Sequence, residues 1–189
     1  MLPASYQIRR KILTLLDAKF HFRSLDGTIL AFSRQKAFKL KEDIRIYADE
    51  EMSREILCIK ARNIIDFSAA YDVIDPLSGR IYGTWRRKGL MSAFLRDSWE
   101  LLIDETPAAI LQEDSLGLAL LRRNLCSLIP QTYHLKDPKG MPVAEYRQNF
   151  NPFVYKLNVT NHIAHDERMS MLVAAGGLLM AAIEGKQRN

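Results

Sequence analysis

Three groups of basic residues have the clearest chemical use in this sequence: Arg86-Arg87-Lys88, the pair Arg122-Arg123, and the series Arg34, Lys36, Lys39 and Lys41. A guanidinium fork matches two oxygens of a phosphate or carboxylate, and several cationic groups held near one headgroup bind it better than one. Arg86, Arg87, Lys88, Arg122 and Arg123 are therefore the candidate ligand-binding residues, and an anionic headgroup is the candidate ligand. The competing reading is a solvated surface that keeps the chain soluble. Only Trp85 interleaves an aromatic ring with these charges, so a stacking platform for single-stranded nucleic acid is not expected.

Other constellations carry less. His162 and His165 stand at i, i+3 beside Asp166 and Glu167, a spacing that on a helix puts nitrogen and carboxylate ligands on one face. No further ligands can be placed near them, and Asp166 is wanted as a helix cap, so no metal is assigned. Asp49, Glu50 and Glu51 lack the alternating oxygen ligands of a calcium loop and read as a solvated turn. The sequence has no GxSxG elbow, no GxxxxGK[ST] phosphate loop and no GxGxxG between a strand and a helix. In "GTWRRKG", Trp85 and its basic neighbours would block a backbone cradle. No catalytic residue and no cofactor is assigned, and a non-enzymatic protein is expected.

The elements that must position these groups read mostly as strands. Three hairpins share one plan of period-two alternation around a turn rich in Asp and Gly. "FHFRSLDGTILAF" sets Phe20 and Phe22 on one face with His21 and Arg23 on the other. "YDVIDPLSGRIYGTW" aligns Tyr71 with Val73 and returns with Ile81 and Trp85 in register. "YHLKDPKGMPVAEY" points Tyr133 and Leu135 inward and His134 and Lys136 outward. Between them, "DIRIYADEEMSREILCIKAR" is a strand pair around an acidic turn, "DSWELLIDETPAAILQED" is a pair around a turn containing Pro107, and "FNPFVYKLNVT" puts Phe153, Tyr155, Leu157 and Val159 on one face. About eleven strands with no alternating helices argue for an antiparallel barrel or sandwich. A short helix is expected over Ser115 to Pro130, between an Asp114/Ser115 cap and the proline.

The apolar stretch from Met169 to Ile183 is the second helix, capped by Asp166 and stopped at Gly185. At 1.5 Å per residue it reaches about 22 Å, short of the roughly 30 Å of a bilayer's hydrocarbon. Its alanines and its Gly176-Gly177 pair suit close approach on all sides, and a helix apolar all round must be buried. The interior of a barrel too wide for side chains alone to fill is the matching site.

These residues together resemble the Tubby C-terminal-like superfamily, specifically its LURP-one-related branch, to which phospholipid scramblases are related. The resemblance covers nearly the whole chain. Its carriers, in order, are "YDVIDPLSGRIYGTWRRK", "WELLIDE", "ALLRRNLCSLIPQTYHLKDPKG", "FNPFVYKLNV" and the terminal apolar helix. It implies a closed barrel of about twelve antiparallel strands around a C-terminal hydrophobic helix. Tubby proteins bind phosphoinositides through basic residues on the barrel, but no stretch here allows those ligands to be carried over residue by residue. The cysteine-rich palmitoylation segment and acidic calcium loop of scramblases are missing.

The chain has 189 residues, 48% hydrophobic and 26% charged, enough for one domain with one core. Its net charge of +5 favours an anionic partner. Cys58 and Cys126 lie far apart with no clustered partners, which fits a reducing compartment. The apolar run near the N-terminus is too short for a secretory signal. The expectation is therefore a single, mostly β domain over 1–189 with a core helix at about 167–184. It is expected in the cytoplasm, peripheral to a membrane and not integral to it. Its expected role is to bind acidic phospholipid or phosphoinositide headgroups; the alternatives are a protein-interaction scaffold or a scramblase-like lipid-moving protein.

Overall fold

Alternation of apolar and polar residues is the feature that builds the wall. In the computed structural model, which describes residues 2–11, 17–36, 43–62, 70–87, 98–113, 131–149, 154–164 and 166–187, twelve antiparallel strands close into one barrel. They are β1 (Ser5–Lys11), β2 (Asp17–Arg23), β3 (Ile29–Lys36), β4 (Ile44–Tyr47), β5 (Glu55–Ala61) and β6 (Ala70–Ile74), followed by β7 (Ile81–Arg87), β8 (Trp99–Ile103), β9 (Thr106–Glu113), β10 (Thr132–Lys136), β11 (Pro142–Gln148) and β12 (Val154–Asn161). Each strand pairs with its neighbours in sequence, and β1 pairs with β12 to close the ring. Phe20 and Phe22 of β2, Tyr133 and Leu135 of β10, and Tyr155, Leu157 and Val159 of β12 are buried, as alternation requires.

One helix, α1 (Glu167–Gln187), provides the filling. Asp166 caps it by accepting a 3.0 Å hydrogen bond from the Met169 amide. From Leu172 to Ala175 and from Leu178 to Ala182 every side chain is buried. Gly176 faces Trp85: a Cβ there would lie 2.5 Å from Cζ2 of the indole. Gly177 faces Ile8 and Tyr146. Two wall side chains fix the helix at this level. Trp85 Nε1 donates to the Leu172 carbonyl at 2.9 Å, and the Tyr146 hydroxyl donates to that of Val173 at 3.0 Å. Among the described residues no helix is long and apolar enough to cross a membrane.

The three matching hairpins share a turn chemistry. Asp26, Asp75 and Asp137 each accept backbone N–H bonds inside their own turns, and Gly27, Gly79 and Gly140 take positive φ. These bonds hold the Asp26 carboxyl down at about 2, through Ser24 first and then Thr28.

Four expectations need correction. The twelfth strand is β1, which the reading of about eleven strands left out; Tyr6 and Ile8 face inward opposite Val159 and Leu157. Ile81 does not share the inward face of Trp85: a bulge at Tyr82 pairs Ile81 with outward Ile74, and it is exposed. Pro107 is not in the turn. That turn is Asp104-Glu105, both at positive φ, and Pro107 sits in β9 opposite Leu102 beside a bulge. Finally, α1 does not stop at Gly185 but runs to Gln187. The helix expected over Ser115 to Pro130 and the inward place of Phe153 lie outside the described residues.

Candidate functional site

Strand alternation separates the predicted basic cluster. Arg86 pairs with Glu100 and points outward, where its guanidinium donates to the Glu100 carboxylate at 2.7 Å. Arg87, one residue on, pairs with Trp99 on the inward register. Its charge pulls against the burial that raises the Tyr71 hydroxyl. Neighbours on a strand point to opposite faces, so these two do not converge on one ligand. Arg34 is engaged by Asp17 through its Nε at 2.9 Å. Lys88, Arg122, Arg123, Lys39 and Lys41 lie outside the described residues, as does His165. No group of three or more His, Cys, Asp or Glu among the described residues could hold a metal.

Around β5 to β8 the outer face compensates its charges. Arg62 reaches Asp72 at 2.8 Å, Glu105 at 2.8 Å and the Thr84 hydroxyl at 3.2 Å, and Thr84 donates to Asp72 at 2.7 Å. At the foot of α1, Arg168 donates to the Tyr82 carbonyl at 2.7 Å and to Asp104 at 3.1 Å. Such groups hold strands and helix together and have little capacity left for an outside anion.

A different arrangement covers the outer face of β11, β12, β1 and β2. Arg9 of β1 stands directly opposite Lys156 of β12, and on its other side faces His21 of β2. One row away, Arg147 of β11 stands opposite Asn158, which faces Gln7, which faces Arg23. Arg9 is held in place by Gln7, whose side-chain oxygen accepts from Nε at 2.9 Å and from a terminal nitrogen at 2.7 Å. Arg9, Arg147 and Lys156 form no ion pair among the described residues. Like charges placed directly across a strand pair repel. The sequence reading missed this patch because its members are far apart in the chain; the signal was the alternation in "YQIRRK" and "YKLNVT", which puts Arg9 and Lys156 out of phase with the core residues.

The inner face of the same wall is also polar toward one end. Arg10 is in phase with Tyr6 and Ile8, pairs with Tyr155 and Phe20, and lays its guanidinium 5.7 Å from the centre of the Phe20 ring. Burial lowers its pKa, against an opposing pull from Tyr155. Ser33 faces Phe20 from β3, Gln35 faces Ala18, and Gln148 of β11 faces Leu157. Ser33 and Gln148 are 0% and 3% exposed. Arg10 Nε, Ser33 Oγ, Gln35 Nε2 and Gln148 Nε2 are buried atoms without a hydrogen-bond partner among the described residues.

The fold and these two faces define a class of molecule: a closed β-barrel wound on a buried helix, with one charge-compensated wall and one on which Arg9, Arg147 and Lys156 form no ion pair among the described residues. Comparison with family models, curated proteins and solved structures finds no match for this chain.

Proposed function

We propose that this chain is a non-enzymatic binding module that docks on acidic phospholipid, phosphoinositides included, through the outer face of β11, β12, β1 and β2. The observation that carries the reading is Arg9 and Lys156 facing each other, with Arg147 one row away and no carboxylate paired with any of them among the described residues. Bringing like charges together costs folding energy, and an anionic surface recovers that cost on binding. The net charge of +5 adds long-range attraction. The resemblance to the Tubby C-terminal-like group, which implies a barrel around a C-terminal helix, and a peripheral place in the cytoplasm belong to the same proposal.

Vesicle flotation tests it. The chain should float with vesicles containing phosphatidylserine or a phosphoinositide, stay behind with phosphatidylcholine alone, and dissociate as salt rises. An Arg9→Gln/Lys156→Gln double variant should bind at least about tenfold more weakly, since each cation near a charged surface contributes about 1 kcal/mol. Equal absence from anionic and neutral vesicles would sink the reading.

A further inference from the structure

The inward side of that wall has no role in membrane docking, because it faces the barrel core. It is nonetheless built as a donor set. Arg10, Gln35 and Gln148 stand at or next to the last residues of β1, β3 and β11, strands that all end at the same mouth of the barrel. Ser33 and Arg10 flank Phe20 from the two strands beside it, and Gln35 is the next inward residue along β3. Gln148 lies across Leu157, the inward neighbour of Tyr155, which itself pairs with Arg10.

Buried donors left without acceptors each cost free energy, and among the described residues the Nε of the half-buried Arg10 guanidinium is one of them. The only inward-facing carboxylate among the described strand residues is Glu113 of β9, which has an interaction of its own and stands two strands from Gln148. No ion pair to Arg10 occurs among the described residues. We propose that this cluster is a binding site for an organic monocarboxylate with an apolar chain, its carboxylate held by Arg10, Ser33, Gln35 and Gln148 at the barrel mouth. An ionised carboxylate offers about four lone-pair positions, and the wall presents four unpartnered donor-capable groups. One guanidinium balances one negative charge; a phosphate dianion would bring a second charge into a site with no second cation among its described residues. The rings of Phe20 and Tyr155 and the side chains of Ala18 and Ile8 give the neighbouring surface the apolar character that an alkyl chain requires.

Calorimetric titration of the full chain with decanoate, decanol and inorganic phosphate tests the assignment. Decanoate should bind at one site per chain and raise the melting temperature, while decanol and inorganic phosphate should do neither. The Arg10→Met variant should melt at or above the wild-type temperature without ligand, since a half-buried guanidinium whose buried Nε has no partner among the described residues is gone, and its decanoate affinity should fall at least tenfold. A purely structural Arg10 would give the opposite: a lower melting temperature and unchanged affinity. Should Arg10→Met fail to fold, Gln148→Leu and Gln35→Met each remove one donor and should weaken decanoate several-fold. The site is overturned if the wild type ignores decanoate, if decanol or phosphate binds as well, or if the variants keep full affinity. Flotation on anionic vesicles separates this site from the outer patch, because Arg10→Met should float as the wild type does. Wild-type chain that floats but ignores decanoate counts against the inner site alone, and wild-type chain that binds decanoate but does not float counts against the membrane reading alone.

Discussion

The wall from β5 to β8 compensates its polar groups, while the wall from β11 through β1 to β3, which also holds the Arg34–Asp17 and His21–Glu50 pairs, leaves several without partners among the described residues. In the first, Arg62, Arg86 and Arg168 each meet a carboxylate, and Trp85 uses its indole N–H on the core helix. In the second, Arg9 faces Lys156 on the outside while Arg10, Gln35 and Gln148 carry nitrogens on the inside with no partner among the described residues. Evenly compensated charge fixes elements to one another. Uncompensated charge is a cost to the fold that an outside ligand can remove, so the second wall is where binding is sought. Arg86 and Arg34, the basic residues most visible in the sequence, are poor ligand candidates for a local reason: each is already engaged by an acid from a neighbouring strand, Arg34 by Asp17 within the second wall itself.

The comparison can be broken most severely at the helix. Gly176→Val would drive a branched side chain into Trp85, where even a Cβ would lie 2.5 Å from the ring. Overpacking of this kind costs about 1–3 kcal/mol or more, so a clear fall in the urea midpoint is expected. Gly177→Ala meets the terminal methyl of Ile8 instead and gains about 1 kcal/mol of helix propensity, so its net effect should be small. Equal effects from the two would mean that the indole does not set the helix position.

Two buried tyrosines sharpen the contrast at a smaller scale. Tyr146→Phe removes the donor to Val173 and should lose about 1 kcal/mol in chemical denaturation. The Tyr6 hydroxyl has no partner among the described residues, so Tyr6→Phe should cost nothing or stabilise slightly. In both, burial pushes the phenol upward, so neither should ionise in an alkaline titration before the fold is lost. On the outer face, Arg9→Gln relieves repulsion from Lys156 and should leave stability unchanged or a few tenths of a kcal/mol higher while weakening vesicle binding. A marked loss of stability would make Arg9 a structural residue.

The smallest effect is expected at the turns. Asp26, Asp49 and Asp75 have carboxyl pKa values lowered chiefly by hydrogen bonds from Ser24, Ser53 and Ser78. Lowered folded-state values mean that their stabilisation is present above the unfolded value near 3.9 and is lost as pH falls through the folded ones. Asp26→Asn should therefore differ from the wild type in melting temperature at pH 6, and the gap should close as pH falls from about 4 toward 2. A gap that persists to pH 2 would show that ionisation of Asp26 is not what stabilises the turn.

Local chemistry made much of this fold readable. The Asp and Gly of the matching turns, the paired phenylalanines of β2 and the cap at Asp166 each declare themselves within a few residues. Bulges do not: the register shift at Tyr82 places Ile81 on the outside opposite Ile74, a pairing across two strands that no single window of sequence contains. Strand β1 was hidden by Arg10, a charge on the inward phase that breaks the apolar alternation. That break is the mark of the inner donor set. The outer patch was illegible for another reason, since Arg9 and Lys156 are brought together only by closure of the barrel between its first and last strands.

Amide hydrogen exchange on the full chain, free and bound to phosphatidylserine vesicles, tests the contrast between the walls most directly. Slowed exchange should map to β1, β2, β11 and β12, while the amides of Leu172 to Ala182 keep the same protection in both states. Slowing confined to β6, β7 and β8, or loss of helix protection on the vesicle, would contradict the account.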